Sequence, residues 1–233
     1  MDRRDEVAHS LLQAQHKAEA LFAAVVSEGL IQPGKLESEL SADIHALAQA
    51  RFGVRRHWHK RVVRAGPNTL LTYYDEPADR RIADDDIVYL DFGPLFEAWE
   101  ADFGRTYALG NDPDKRRLIG DLAIAFDRGK KLYQDMETLT AGQLYDFVAA
   151  EATQYGWEFG APTAGHLIGY FPHEHSPDQK RFSIRHGNSL SLREPDDAGR
   201  PRHWILEIHF VDRQRQIGGF FEELLTVDAA SAV

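Results

Sequence analysis

The chain has 233 residues, 43% of them apolar, enough for one domain with a full core. Its 37 acidic and 27 basic residues leave a net charge of -10, which argues against a general nucleic-acid-binding face. With no cysteine there is no disulfide framework, no thiolate metal site and no cysteine nucleophile. No run of about 18 apolar residues exists that could span a membrane. The N-terminus, MDRRDEVAHSLLQAQHKAEALF, is charged and amphipathic rather than signal-like, so a cytoplasmic protein is expected.

Residues 5–29 carry Leu11, Ala14, Ala18, Leu21, Phe22 and Val25 at helical spacing, and Gly29 can end that helix before the Pro33-Gly34 turn. Ser38 with Glu39, then Ile44, Leu47 and Ala48, predicts a second helix that stops before Gly53. Arg55, Arg56, Lys60, Arg61 and Arg64 form a basic cluster. It reads either as a solvated strand or loop, or as a rim for an anionic group of a substrate. Strands are expected at residues 69–74, 87–92 and 101–107. A helical block at 112–135 opens on the cap pair Asp112-Pro113, and Thr140 caps another helix through about residue 154. Strands then return at 166–170, 182–184, 190–192, 204–211 and 220–227. The plan is helix, helix, strands, stated twice without a visible sequence repeat. It predicts one α+β domain over residues 1–233, with two half-sites set against each other in a curved sheet covered by helices.

The chemistry is concentrated in the strands. IVYLDF, GPLFEAW and EADFGRTY read as a hairpin carrying Asp91 and Asp102, eleven residues apart, which face each other if the turn is centred near Phe96 and Glu97. WILEIHFV and GGFFEELLTV read as a second, carrying Glu207 and Glu222, fifteen apart, around Gln214 and Arg215. Facing side chains in a hairpin lie about 5 Å apart. Between the hairpins lies AGHLIGYFPHEH, with His166. A lone acid is most often solvated at the surface, and a lone histidine is most often structural. Asp91, however, sits in a strongly apolar strand, where a charge needs a partner. Four carboxylates and one imidazole can hold two divalent ions and a water, which offsets their mutual repulsion. An oxygen-rich set with one imidazole suits Mn, Co, Fe or Zn.

Taken together, these segments resemble the pita-bread metallohydrolases: methionine aminopeptidase, aminopeptidase P, prolidase and creatinase. DFGPLFEAWEADFGRT is similar to the family's first metal segment, an Asp, a second Asp eleven positions on, then Arg-Thr. GHLIGYFPHEH is similar to the Gly-His-x-x-Gly segment with a second histidine seven positions after the first. LEIHF and GGFFEELLTV resemble the two glutamate segments, and Gly218 keeps the family's four-residue spacing to Glu222, which favours Glu222 over Glu223. The resemblance implies a pseudo-two-fold curved antiparallel sheet and two divalent ions. Asp91 would chelate one ion, Asp102 and Glu222 would bridge both, and His166 and Glu207 would complete the other. His173 would bind the substrate carbonyl, and Glu207 would also pass the proton of the attacking water.

The sequence departs from the family at two places. The family's histidine upstream of the first Asp is missing from NTLLTYYDEP, where Thr72 or Tyr73 falls instead. His57 or His59 of HWHKR can fill that space beside the substrate. Ile208-His209 replaces the usual Pro after the first Glu, and His209 shares the inward face with Glu207 in a strand. The resemblance implies a hydrolase of a small peptide or amide, of the aminopeptidase or Xaa-Pro peptidase kind. A creatinase-like hydrolase of a non-peptide C–N bond and a non-catalytic binding module are the rivals. The expected partners are a small-molecule or peptide substrate and, at most, a second copy of the chain as a homodimer.

Overall fold

The computed structural model describes residues 3–171 and 180–227, so His173 lies outside the described residues. Two helices open the chain, α1 (Arg3–Ser27) and α2 (Glu37–Phe52). Gly29, at φ 61°, and Gly53, at φ 67°, stop them where the sequence places stops, because the left-handed turn that closes a helix costs glycine nothing. Glu39 reaches back to the Leu36 amide at 2.8 Å, the reciprocal half of a cap. Strands β1 (Val62–Ala65), β2 (Ile87–Phe92), β3 (Leu95–Phe96), β4 (Trp99–Glu100) and β5 (Phe103–Ala108) follow. Helices α3 (Pro113–Asp135) and α4 (Ala141–Gln154) start at the anticipated caps: Asp112 accepts from the Asp114 amide and Thr140 from the Gln143 amide. Strands β6 (Glu158–Phe159), β7 (Leu167–Ile168), β8 (His203–Asp212) and β9 (Ile217–Leu224) complete the described chain.

The main sheet runs β1-β2-β5-β9-β8-β6, with β7 also paired to β8. Three strands of the first half and three of the second therefore meet at β5 and β9, which is the duplicated plan in three dimensions. Strand alternation divides the faces. Val88, Leu90 and Phe92 of β2 pack under α1 and α2 with Leu21, Phe22, Leu40 and Ile44. Leu206, Ile208 and Phe210 of β8 pack under α3 and α4 with Leu122, Phe126, Leu144 and Val148. The residues between them, Tyr89 and Asp91, Glu207 and His209, are left on the other face, and each half's core thus fixes which side chains meet. No described helix is long and apolar enough to cross a membrane.

Three expected strands are absent. Residues 69–74 instead begin in a 3-10 turn (Gly66–Leu70) and continue into a bend closed by Asp75, which accepts from the Thr72 amide and hydroxyl at 2.8 Å each. Pro67 and the Asx-type hydrogen bonds of Asp75 outweigh the strand propensity of TLLTYY. The edge strand is β1, inside the basic cluster, where Val62 faces Asp91. Residues 182–184 and 190–192 make single bridges, Ser183 to His166 and Ser191 to Thr140. Asn188 folds this segment on itself, donating to the Arg181 and Ser183 carbonyls and accepting from the Leu190 amide.

Candidate metal centre

One row of residues crosses four strands. Asp91 on β2 faces Gly104 on β5, Gly104 faces Glu222 on β9, and Glu222 faces Glu207 on β8. Asp102 lies two residues before Gly104 and so shares its face. The Glu207–Glu222 pairing is the expected one, around a 213–216 loop. Asp91 faces Gly104 rather than Asp102, because β3 and β4 turn separately at Glu97, at φ 61°. Glu223 points to the other side and binds Arg105, so Glu222 is the member of the pair that reaches the cluster.

His166 enters from β7. Gly165 before it stands at φ 137°, and a Cβ there would lie 2.0 Å from the Ile205 carbonyl oxygen, so only glycine lets the chain pass this close to β8. His166 donates from Nδ1 to the Leu167 carbonyl at 2.7 Å. Its Nε2 lies 3.2 Å from Asp102 and 3.3 Å from Glu207. From the opposite side, His59 places Nε2 2.9 Å from Asp102 and 3.6 Å from Asp91. His57 turns away, against His45 and Phe92. Of the two upstream histidines, His59 is the one that reaches the site. His209 shares the inward face with Glu207, as its spacing predicts, and donates to the Thr69 carbonyl at 2.9 Å.

The electrostatics are those of carboxylates crowded out of water. Burial, with Asp102 and Glu207 nearby, pushes Asp91 up to about 7 despite His59. Burial raises Glu207 to about 7 as well, against the pull of His166. Burial and then Asp102 raise Glu222 well above the usual carboxylate range. Asp102 is also buried, yet His59 and His166 together hold it below that range. Burial lowers both imidazoles, but Asp102 and Asp91 bring His59 up to about 9, and Asp102 and Glu207 bring His166 up to about 10. Burial pushes His209 down to about 4, against the Thr69 carbonyl and Asp75, so it stays neutral.

A divalent ion fits this arrangement. Glu222 is 2% exposed, and its Oε2 is buried without a hydrogen-bond partner, a costly state unless a cation takes the lone pair. Among the described residues, two donor sets lie within 4.8 Å: His59, Asp91 and Asp102, and Asp102, His166 and Glu222. Asp102 belongs to both. Above them opens a cavity of about 330 Å³, whose walls include Trp58, Tyr73, Tyr89, Phe182 and Phe220. Of these aromatic walls only Tyr73 was anticipated. The signal for two of them was present, since Tyr89 and Phe220 each lie two residues before a site carboxylate in a strand.

A curved antiparallel sheet under helices, with carboxylates and imidazoles meeting where its two halves join, is the pita-bread plan. The model of metallopeptidase family M24 matches residues 9–223. The chain belongs to that family. An Xaa-Pro dipeptidase of Lactobacillus helveticus is 26% identical over 178 residues, 76% of this chain and 46% of that protein. One of Pyrococcus horikoshii is 25% identical over 158 residues, 67% of this chain and 44% of that protein. The chain thus spans under half the length of these curated relatives. Among solved structures, prolidase from Pyrococcus furiosus superposes with a TM-score of 0.71 at 20% identity, over 98% of this chain and 62% of that one. Methionine aminopeptidase from Rickettsia prowazekii gives 0.73 at 17% identity, over 97% of this chain and 94% of that one. At these identities the superpositions speak for the fold.

Proposed function

We propose that the chain is a dinuclear metal-dependent hydrolase of a small peptide or amide, with Asp91, Asp102, His166, Glu207 and Glu222 holding two divalent ions of the Mn, Co, Fe or Zn kind. The observation that carries this reading is Asp102, one carboxylate common to two donor sets. Glu222, whose Oε2 is buried without a hydrogen-bond partner, would be the second shared carboxylate, as the resemblance implies. Bound there, such ions supply an activated water and polarise a scissile carbonyl. The chain's own residues do the rest. Glu207 has a side chain 17% exposed, against 2% for Asp102, so it is the carboxylate placed to take a proton from the cavity side. His173, by its motif, binds the substrate carbonyl. His209, neutral and fixed by Thr69, lines the pocket beside Glu207 and is placed to bind substrate. Phe220 and Tyr89 exclude water around an apolar substrate group.

The names of the curated relatives make an Xaa-Pro dipeptide the first substrate to try. Methionine aminopeptidase activity is expected to be low, because Tyr73 rather than a histidine stands beside the site in the loop upstream of Asp91. The same aromatic lining supports the non-peptide C–N substrate as the second reading. The test reconstitutes metal-free protein with Mn, Co, Fe or Zn and assays Xaa-Pro dipeptides, Met-Ala-type peptides, and N-acyl and guanidino compounds. Turnover of Xaa-Pro dipeptides that chelator abolishes is the expected result. Turnover confined to the guanidino or N-acyl compounds establishes the second reading, and turnover indifferent to chelator sinks both.

A further inference from the structure

We propose that His59 is a direct ligand of the ion chelated by Asp91, so that each half of the sheet supplies one imidazole, an assignment that presupposes the two-metal reading of the site. The two histidines are held alike. His59 donates from Nδ1 to the carbonyl of the next residue, Lys60, at 2.6 Å, as His166 does to Leu167 at 2.7 Å. A carbonyl only accepts, so in each neutral ring the hydrogen is on Nδ1 and the Nε2 lone pair faces the carboxylates. Pinning the far nitrogen to a backbone carbonyl is how metal-binding histidines are oriented. Carboxylate oxygens cannot donate, so between the His59 Nε2 and the oxygens at 2.9 and 3.6 Å only a proton or a cation can stand.

The placement of His59 is built rather than incidental. Its side chain is 5% exposed. The Trp58 amide donates to the Gly93 carbonyl and the Trp58 indole to the Ala101 carbonyl, both at 2.9 Å, lashing the segment to both arms of the Asp91–Asp102 hairpin. A Cβ on Gly93 would lie 2.1 Å from the His59 ring and 2.4 Å from the Trp58 indole nitrogen, so the glycine after Phe92 is what admits the imidazole. Tyr73 packs edge-on against the other side of the ring, centroids 5.7 Å apart. The pseudo-two-fold then reads His59, Asp91 and Asp102 against His166, Glu207 and Glu222. A nitrogen donor on both ions tilts both sites from Mn towards Co, Fe or Zn.

The test loads metal-free protein with Co(II). It counts ions by elemental analysis and strongly shifted, solvent-exchangeable imidazole N–H signals by proton NMR. Two ions and two such signals are expected, from Nδ1–H of His59 and of His166. His59→Gln should remove one signal and retain an ion at His166, and His166→Gln should remove the other signal. The count in the unaltered protein stands whether or not either variant folds. Two ions with one shifted signal, surviving His59→Gln, would overturn the ligand assignment and leave the two-metal site standing. No bound cobalt in the unaltered protein would overturn the two-metal reading and the assignment together.

Discussion

The two halves of the sheet present the same kinds of side chain, carboxylates and an imidazole, in different states of access. In the first half the acids are aspartates with side chains 10% and 2% exposed, and the imidazole behind them is 5% exposed. In the second, Glu207 is 17% and His166 29% exposed. The difference comes from an added arm. Strands β3 and β4 interrupt the first hairpin, and Glu100, fully buried, accepts from the Gly169 amide at 3.0 Å and closes that wall. The second hairpin is plain, and Glu207, with His166 beside it, opens on the cavity, while Glu222 at the seam is 2% exposed. The first half is therefore the fixed wall of the site and the second its working side.

Asp102 is where that division can be broken most severely. It faces His59 from its own half and His166 from the other. Asp102→Ala should therefore empty both metal positions, whereas Glu207→Gln should spare the ion at Asp91. Even an outer partner of a ligand is worth about 10–100-fold in affinity, so the loss at Asp102 should be at least ~10²-fold and turnover should vanish with it. Elemental analysis after reconstitution checks this, and full metal content in Asp102→Ala would refute the shared-ligand role.

Removing the metal should make both halves strain against pH in one direction. Asp91 and Glu207, raised to about 7, and Glu222, raised further, hold protons in the fold that the unfolded chain releases near 4. Their contribution is full below about 4 and is lost as pH rises through 7 and beyond. His59 and His166, raised to about 9 and 10, contribute fully below about 6.5 and lose that contribution as pH rises through those values. Asp102, lowered, contributes above its unfolded value near 4 and changes nothing in this window. Metal-free protein should thus lose of the order of a few kcal/mol between pH 5 and pH 9. Divalent metal added at pH 8 should restore most of it. Thermal melts in chelator across this range decide the matter, and a flat or rising midpoint would be the contrary result.

Period-two alternation made the inward face of β8 legible in the sequence, with His209 beside Glu207, while Glu222 was separable from Glu223 only by the family's Gly218 spacing. Alternation did not fix register. The Glu207–Glu222 pairing was recoverable because one short loop joins plain strands, while Asp91 was matched with Asp102 because nothing in GPLFEAW announces a separate turn. The basic run around Val62 concealed β1, only four residues long, and TLLTYY imitated a strand that Pro67 and Asp75 forbid. Strand alternation would have put His57 and His59 on one face. The segment is irregular, so one ring meets Asp102 and the other packs against Phe92. That distinction is tertiary and has no local signal.

The seam between the halves offers two smaller perturbations. Gly104 and Glu222 are the one facing pair recorded between β5 and β9 among the described residues, and a Cβ at 104 would lie 2.5 Å from the Phe220 ring and 2.9 Å from the Glu222 Cβ. Gly104→Val should cost about 3 kcal/mol by overpacking and loosen metal binding, because it pushes apart the acids on either side. Thr106 supplies the other fastening. Its hydroxyl donates to the Phe220 carbonyl and accepts from the Phe220 amide, both at 2.7 Å. Thr106→Val keeps the shape but leaves both backbone groups unpaired, which should cost roughly 1–2 kcal/mol, about 2–8 °C in melting midpoint for a chain of this size. Thr106→Ser restores the hydroxyl and should recover most of that loss. If Ser and Val destabilise equally, the missing methyl packing of Ser matters as much as the hydrogen bonds, and the seam is held by burial around Phe220 rather than by the threonine clamp.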